Sequence, residues 1–219
     1  MSDLASITIS SFALVISAVN AWMTLLRHGT VKMTQPTIIF FGPDAPRPQD
    51  SAPSPKIYLR TLLFSTSKKG CVLENMYVSL SRNETQQNFS VWVYGDESLV
   101  RGSGLFVGET GIATNHHFLL PPDNTFFQFV EGYYRLEVYA KILGEEKTRL
   151  LFTQTLEISP SAANALKEQH AGVYFDWGPD SGRYFQHVEM KKPKFGLDDL
   201  VGSLNKLAEV PVSKKNDSF

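Results

Sequence analysis

The feature that most constrains this chain is a long uncharged stretch near its N-terminus. From Leu4 to Leu26, 23 residues pass without an acidic or basic side chain. A helix rises about 1.5 Å per residue, so this stretch is just longer than the ~30 Å hydrocarbon core of a bilayer. The sequence therefore predicts a short tip at residues 1–3 and a transmembrane helix over residues 4–26, with the lipid bilayer as its first partner.

The charges on either side of the stretch predict its orientation. Arg27, His28 and Lys32 follow it, whereas only Asp3 and the terminal amine precede it. Positive charge next to a membrane segment is retained on the cytoplasmic side. Trp22 lies near the same end, where an amphipathic ring suits the headgroup region. We therefore expect a single-pass membrane protein whose C-terminal domain is cytoplasmic.

Two other interpretations of the stretch compete with a membrane anchor. Val19 and Ala21 resemble the small-residue cleavage site of a signal peptide, and cleavage there would release an exported binding domain. Against this, no basic residues precede the stretch, and it is longer than the usual apolar core of a signal peptide. A helix lying flat in the membrane interface would need a charged face, which this stretch lacks.

Small and polar residues recur along the stretch at spacings of four and three. They are Ser6, Ser10, Ala13, Ser17, Asn20 and Thr24. Such a heptad stripe stays on one face of a supercoiled helix and lets a second helix approach closely, so it predicts a homo-oligomer or a pairing with another membrane protein. The alternative is that the hydroxyls bond back to their own helix, since each interhelical bond is worth only about 0.6 kcal/mol. Asn20 favours a partner, because burying an amide in hydrocarbon without one is costly.

The sequence changes character after a connector at residues 27–35. Apolar residues then alternate with period two between Gly, Pro, Asn and Asp residues, which indicates short β-strands. The predicted strands are Thr37–Phe41, Lys56–Thr66, Val72–Ser81, Phe89–Tyr94, Leu105–Val107, Thr114–Leu120, Tyr133–Leu143 and Arg149–Ile158. Eight strands at this spacing predict a mainly β fold, an antiparallel β-sandwich over residues 36–158.

One of these strands carries a recognisable local pattern. From Glu131 to Ala140, residues Tyr134, Leu136 and Val138 occupy alternate positions on one side. This resembles the F strand of immunoglobulin-like domains, and the tight connection at Gly144 resembles the link from F to the last strand. The resemblance implies an immunoglobulin-like sandwich in which Tyr134 bonds back to the preceding corner. It covers architecture only, because this fold hosts many functions.

Two further segments follow the sandwich. Residues 159–190 read as a short helix and an aromatic hairpin that turns at residues 178–182. Its rings are expected to cover the sandwich or, alternatively, to form a partner surface containing Tyr174 and Trp177. Residues 191–219 form a tail with an amphipathic helix, whose Leu200 and Leu204 are further candidates for a partner surface. This helix is expected to dock on its own domain, a subunit, a partner or the bilayer.

Composition narrows the possible functions. Basic and acidic residues number 21 and 22, so no strong field attracts nucleic acid, and we predict no nucleic-acid partner. Cys71 is the only cysteine, which fits a reducing compartment. The adjacent His116 and His117 would face opposite sides of a strand, and no HExxH, GxSxG or GxxxxGK[ST] motif occurs. We predict no metal, no cofactor and no enzymatic activity.

These features favour a membrane-tethered, non-enzymatic interaction module whose cytoplasmic sandwich binds a protein partner. A first alternative is a membrane effector, in which the β domain senses a ligand or partner and the helices cluster through the serine stripe and disrupt the bilayer. A second alternative is the exported binding domain left by signal cleavage.

Overall fold

The computed structural model describes residues 2–23, 29–44, 54–123, 126–167 and 171–190. Within these residues a single long helix precedes a domain made almost entirely of β-strands. The helices are α1 (Ser2–Ala21) and α2 (Pro160–Lys167). The strands are β1 (Val31–Met33), β2 (Ile38–Pro43), β3 (Pro55–Ser65), β4 (Cys71–Arg82), β5 (Thr85–Phe89), β6 (Val91–Tyr94), β7 (Val100–Arg101), β8 (Leu105–Val107), β9 (Ile112–Leu119), β10 (Gly132–Ile142), β11 (Arg149–Ile158), β12 (Ala171–Gly178) and β13 (Arg183–Met190).

The strands form two antiparallel sheets. The larger sheet has the order β13-β12-β2-β3-β9-β6-β7. Its eighth strand, β1, pairs with the C-terminal part of β3, whereas β2 pairs with the N-terminal part. The smaller sheet has the order β11-β10-β4-β5, and β8 pairs with the start of β4. The two sheets face each other across one apolar core. A mainly β, sandwich-like fold with an N-terminal apolar helix and a short helix near the C-terminus is thus confirmed.

Alternation along the strands builds this core. In β3 every second side chain from Ile57 onward is buried, and in β10 the same holds from Tyr134 to Ile142. Burying one such aliphatic or aromatic side chain contributes roughly 1.5–3 kcal/mol. Aromatic rings fill the end of the sandwich where Phe41 stacks on Phe129 at a centroid distance of 5.0 Å. The period-two pattern therefore gives both the strands and their inner face.

The predicted strand Phe89–Tyr94 is two strands in the structure. β5 ends at Phe89 in the smaller sheet, and β6 begins at Val91 in the larger sheet. Phe89 and Trp92 are both buried in the shared core. In one continuous strand they would point to opposite faces, because side chains alternate. Crossing between the sheets at Ser90 lets both rings point inward.

Part of the predicted connector belongs to the sandwich. β1 pairs with β3 from Val31 opposite Ser65, and Val31 is buried. Just before it, the Thr30 amide donates to Thr66 Oγ1 and the Thr66 amide donates to the Thr30 carbonyl, each at 3.0 Å. Gly29 lies so close to Ser67 that an added Cβ would come within 2.3 Å of the serine Cβ. The chain is therefore fixed to the domain from Gly29 onward.

The aromatic hairpin extends the larger sheet. β12 pairs with β2 on one side and β13 on the other, and the predicted turn at residues 178–182 is closed by the Gly182 amide donating to the Gly178 carbonyl at 2.8 Å. Val173 and Phe175 point into the core. Helix α2 begins after Ser159, whose Oγ accepts from the Ala162 amide at 3.3 Å, and its buried side chains also join the core.

Helix α1 is apolar but exposed, unlike the apolar core residues of the β domain. Leu4–Ala21 is the one segment among the described residues that is long and apolar enough to span a bilayer, and none of it is buried. These properties fit a membrane anchor or a signal sequence.

A buried polar pair connects β6 and β9 inside the core. Trp92 Nε1 donates to His116 Nδ1 at 3.1 Å, and His116 is fully buried. The acceptor role of Nδ1 places the imidazole proton on Nε2. Burial, reinforced by the neighbouring His117, lowers the pKa of His116 to about 4. The pair therefore holds a neutral histidine in the interior.

We expect this histidine to make stability depend on pH. Its pKa lies lower in the folded chain than in the unfolded chain, so the unfolded state binds more protons between about pH 6.5 and about pH 4. The free energy of unfolding should be highest above this window and fall through it as pH drops, by roughly 2–3 kcal/mol from His116.

Urea unfolding of the full chain in mild detergent, at several pH values across the window, measures this effect. His116→Gln keeps an acceptor for Trp92 but cannot titrate, so its unfolding free energy should change less with pH than that of the wild type. Equal pH dependence in the two proteins would contradict the assignment.

Candidate recognition surface

A row of ring side chains crosses the outer face of the larger sheet. Neighbouring strands place each member directly opposite the next across the sheet. The row, called here the aromatic ladder, consists of His117 on β9, Tyr58 on β3, Phe40 on β2, Tyr174 on β12 and His187 on β13. Three members of the ladder therefore lie on sandwich strands, and the other two lie on the hairpin.

The rings of the ladder contact one another. Tyr58 lies 5.0 Å from His117, Phe40 lies 4.8 Å from Tyr174, and Tyr174 stacks on His187 at 5.2 Å with the ring planes only 9° apart. These centroid distances are close to the ~4.8 Å spacing of neighbouring strands. Each ring of the ladder therefore contacts a neighbour, and Tyr174 and His187 cover one ring face of each other.

Two glycines fix the centre of the ladder. Phe40 is only 5% exposed although it lies on the outer face. A Cβ added at Gly172 would lie 2.1 Å from Phe40 Cε2, and one added at Gly42 would lie 2.4 Å from Phe40 Cζ. The ring therefore rests on glycine backbone in its own strand and in β12, where any larger residue would displace it.

A hydrogen-bonded network flanks the ladder beside β9. The Tyr58 hydroxyl and Arg60 Nη1 both donate to Asn115 Oδ1 at 2.9 Å. Arg60 Nη1 also donates to Asp96 Oδ1 at 3.0 Å, and the same oxygen accepts a hydrogen bond from the backbone N–H of Asn115. Burial raises the pKa of Tyr58, with Arg60 opposing and Asp96 adding to the effect. Tyr58 is therefore a protonated, oriented donor.

An ion pair borders the other side of the ladder. Lys56 Nζ lies 2.9 Å from Asp44 Oδ1, and both side chains are largely buried. Burial lowers the pKa of His117 to about 4, and the positive charge of Lys56 contributes to this decrease. His117 is thus neutral at physiological pH and offers a hydrogen bond rather than a charge.

The hairpin end of the ladder is acidic. His187 Nδ1 lies 2.9 Å from Asp176 Oδ2. Burial raises the pKa of Tyr174, and a hydrogen bond with the Glu189 carboxylate raises it further. The polar groups around the ladder are therefore largely paired, with two carboxylates at its hairpin end.

The structure separates the two candidate partner residues of the hairpin. Tyr174 belongs to the ladder, whereas Trp177 lies on the opposite side of β12 and packs edge to face against Tyr184 at 5.1 Å. Leu200 and Leu204 lie outside the described residues. The partner role of these four residues stays a prediction.

Tyr134 is buried where the β9–β10 loop enters β10. Its hydroxyl accepts from the Val130 amide at 2.9 Å and donates to the Val130 carbonyl at 3.0 Å. The guanidinium of Arg82 lies 5.9 Å from the centre of the tyrosine ring. The ring therefore ties the loop to the start of the strand.

The polar stripe of α1 is exposed where the structure describes it. Ser6, Ser10, Ala13, Ser17 and Asn20 are all exposed, and Thr24 lies outside the described residues. The Ser10 hydroxyl donates to the Ser6 carbonyl at 2.9 Å, and Thr8 and Ser11 form similar bonds within the helix. This local bonding matches the alternative interpretation for Ser10. Association through the stripe stays a prediction.

Three ladder residues were not singled out in the sequence analysis, namely Phe40, Tyr58 and His187, and His117 was considered only as one of an adjacent histidine pair. Alternation alone indicates which residues of each strand face outward. It does not give the order of the strands in the sheet, and that order creates the ladder. His116 and His117 face opposite sides of β9, the first toward Trp92 and the second toward Tyr58. Among the described residues no three His, Cys, Asp or Glu side chains are placed to hold a metal ion.

Comparison with protein-family models, curated proteins and solved structures finds no match to this chain.

We expect Gly172→Ala to destabilise the domain through Phe40. The added methyl group would overlap the phenylalanine ring, and overpacking of this kind costs about 1–3 kcal/mol. Gly108→Ala is the matched control, because the nearest atom to its Cβ is 3.7 Å away, and its cost should stay within about 0.5 kcal/mol.

Urea unfolding of these variants, with and without Phe40→Ala, measures the effect as a double-mutant cycle. Removing the ring should relieve most of the Gly172→Ala penalty. An unchanged penalty in the Phe40→Ala background would show that the glycine is required for another reason.

Proposed function

We propose that this protein is a membrane-tethered, non-enzymatic interaction module, in which α1 anchors the chain and the sandwich binds a cytoplasmic protein. The observation that carries the proposal is the exposed apolar helix. Its window Leu4–Ala21 has no buried residue, and side chains such as Phe12 and Leu14 are 71% and 73% exposed. A continuous apolar surface of this size needs a hydrophobic environment, and its length suits a bilayer.

The sequence around the helix supports a cytoplasmic domain. Arg27 and Lys32 follow the apolar segment, which favours retention of that side in the cytoplasm. The lone Cys71 can form no disulfide within the chain, as expected for a reducing compartment. These features favour an anchor over a cleaved signal peptide.

We infer that the sandwich is immunoglobulin-like. The order β2-β3-β9-β6 in one sheet and β11-β10-β4 in the other corresponds to the strand orders ABED and GFC of that fold. Tyr134 lies on the strand equivalent to F, and its hydroxyl bonds back to Val130 as a tyrosine corner does. This inference concerns architecture and adds no activity.

The aromatic ladder is the surface we assign to the partner. Its rings are held by neighbouring strands, so binding orders few additional rotamers. Tyrosine is enriched in the energetically important positions of protein interfaces. The hydroxyl protons of Tyr58 and Tyr174 are donated to Asn115 and Glu189, so each hydroxyl oxygen is oriented to accept from a partner. Nucleic acid fits poorly, because base stacking needs free ring faces and the hairpin end carries Asp176 and Glu189. A folded protein surface with matching donors suits the ladder best.

The helix is proposed to supply a second contact, within the membrane. The stripe of Ser6, Ser10, Ala13, Ser17, Asn20 and Thr24 would let α1 self-associate or pair with another membrane protein. Anchor and sandwich would then act together, since membrane confinement raises the effective concentration of both partners.

Ladder variants test the assignment of the partner surface. Full-length protein is crosslinked in native membranes and purified, after alkaline washing has established that it stays in the membrane fraction. Truncating an interfacial tyrosine that makes a dominant contact costs about 2 kcal/mol, roughly a thirtyfold loss of affinity. We therefore expect Tyr58→Ala with Tyr174→Ala to lose discrete partners that the wild type captures.

Tyr133→Ala is the matched control, because this tyrosine is exposed on the outer face of the smaller sheet. It should capture the same partners as the wild type. If the ladder variant retains them too, the partner surface lies elsewhere. Release of the wild-type protein from the membrane fraction by alkaline washing would contradict the proposal that α1 anchors the chain.

Helix association is tested separately. Asn20→Leu removes the amide of the stripe, and we expect it to reduce crosslinked oligomers or helix-mediated complexes by about threefold, in line with an interhelical bond of about 0.6 kcal/mol. Ile9→Leu, off the stripe, should have no effect. Membrane leakage on overexpression that Ser10→Leu and Ser17→Leu abolish would identify an effector instead of a passive module.

A further inference from the structure

One end of the sandwich lies next to the anchor along the chain. The pairing of β3 with β1 and β9, and of β4 with β8 and β10, brings three turns to the same end as Gly29 and Thr30. We call this the anchor-proximal end, formed by residues 29–30, 66–70, 108–111 and 143–148. The β4–β5 turn at Asn83 lies at the opposite end.

Covalent reach keeps this end near the membrane. Only residues 24–28 separate Met23 from Gly29, and a chain of that length spans at most about 22 Å whatever its path. Strand β3 alone is about 36 Å long for its 11 residues. If α1 spans the bilayer, the anchor-proximal end must therefore lie within reach of the headgroups.

Two large apolar side chains are exposed at or next to this end: Leu143 lies in the β10–β11 turn, and Phe106 lies in β8, between the buried Leu105 and Val107 and therefore on the outer face of the smaller sheet. Phe106 is 62% exposed and Leu143 is 61% exposed. Both adjoin Val72, since Phe106 pairs with it across β8 and β4 and the Leu143 amide donates to its carbonyl at 2.9 Å. Phe106 is also held in place by Gly70, where an added Cβ would lie 2.5 Å from the ring. The two side chains form a small, positioned apolar patch.

Basic residues lie in two of the turns next to the patch. Lys68 and Lys69 occupy the β3–β4 turn, and Lys147 lies in the β10–β11 turn, all exposed. The acidic groups there are partly engaged, since Glu145 pairs with Arg149. Glu109 and Glu146 are exposed and reduce the positive charge. Apolar side chains with lysines beside them match the interface of an anionic leaflet, which attracts basic side chains near its surface.

We propose that the anchor-proximal end docks on the headgroup region of the anionic cytoplasmic leaflet, with Phe106 and Leu143 entering the interface and Lys68 and Lys69 contacting lipid phosphates. The proposal rests on the membrane anchoring proposed above. It turns the outer face of the smaller sheet toward the bilayer at this end, so that the aromatic ladder, on the outer face of the larger sheet, does not face the membrane.

Depth-sensitive labels on the full chain test the docking. In a Cys71→Ala background, Leu143→Cys and Phe106→Cys carry an environment-sensitive fluorophore, and Thr85→Cys at the opposite end is the control. The chains are reconstituted in vesicles of phosphatidylcholine and phosphatidylglycerol with spin-labelled lipid. Labels at 106 and 143 should shift to the blue and be quenched about threefold more than the label at 85. Near-UV circular dichroism establishes that each labelled chain is folded.

The outcomes separate docking from anchoring. If the chain floats with the vesicles but the label at 143 behaves like that at 85, the docking is overturned and the anchor stands. If the chain does not float with them, the anchor fails as well.

The lysine contribution has its own control. Lys68→Glu with Lys69→Glu should remove about half of the quenching at 143 on anionic vesicles and little on phosphatidylcholine alone. Lys167→Glu, in α2, should change neither. Equal quenching in the double variant and the wild type would overturn the headgroup contacts.

Discussion

The sandwich depends on the packing of Phe41. Its ring contacts Phe129 from the β9–β10 loop, Tyr134 from β10 and Phe175 from β12. A single residue of β2 thereby joins the larger sheet, the smaller sheet and the hairpin. Because Phe175 is held in this cluster, β12 must continue the larger sheet, and the hairpin cannot separate without opening the core. The hairpin is therefore part of the packed sandwich, in addition to contributing residues to its outer face.

The same packing sets up the outer face. Alternation along a strand means that fixing Phe175 inward fixes Tyr174 outward, and fixing Phe41 inward does the same for Phe40. The core thus sets the positions of the ladder as directly as its own ring contacts do. In the binding role proposed for the ladder, positions fixed by the core would favour selectivity for one partner over adaptation to several.

Much of this architecture follows from sequence and part of it does not. Three features could be predicted because each depends on residues that are close in sequence. They are the uncharged run before Arg27, the alternation along the strands and the turn from Gly178 to Gly182. The strand switch at Ser90 was hidden, since apolar residues on both sides suit either sheet. β1 was too short to show a period. Phe40, Tyr58 and Tyr174 meet only through the order of strands, which long-range burial decides and local spacing does not encode.

The attachment of β1 has a mechanical consequence. The chain enters the domain at Gly29, and β1 then runs along β3 with Val31 opposite Ser65 and Met33 opposite Leu63. A pull on the chain before Gly29 that is directed along β1 would act on this pairing. It would load the β1–β3 hydrogen bonds in shear, all together, rather than peel them one after another. The first strand of the domain therefore resists a pull along its own axis with all of its hydrogen bonds to β3 at once.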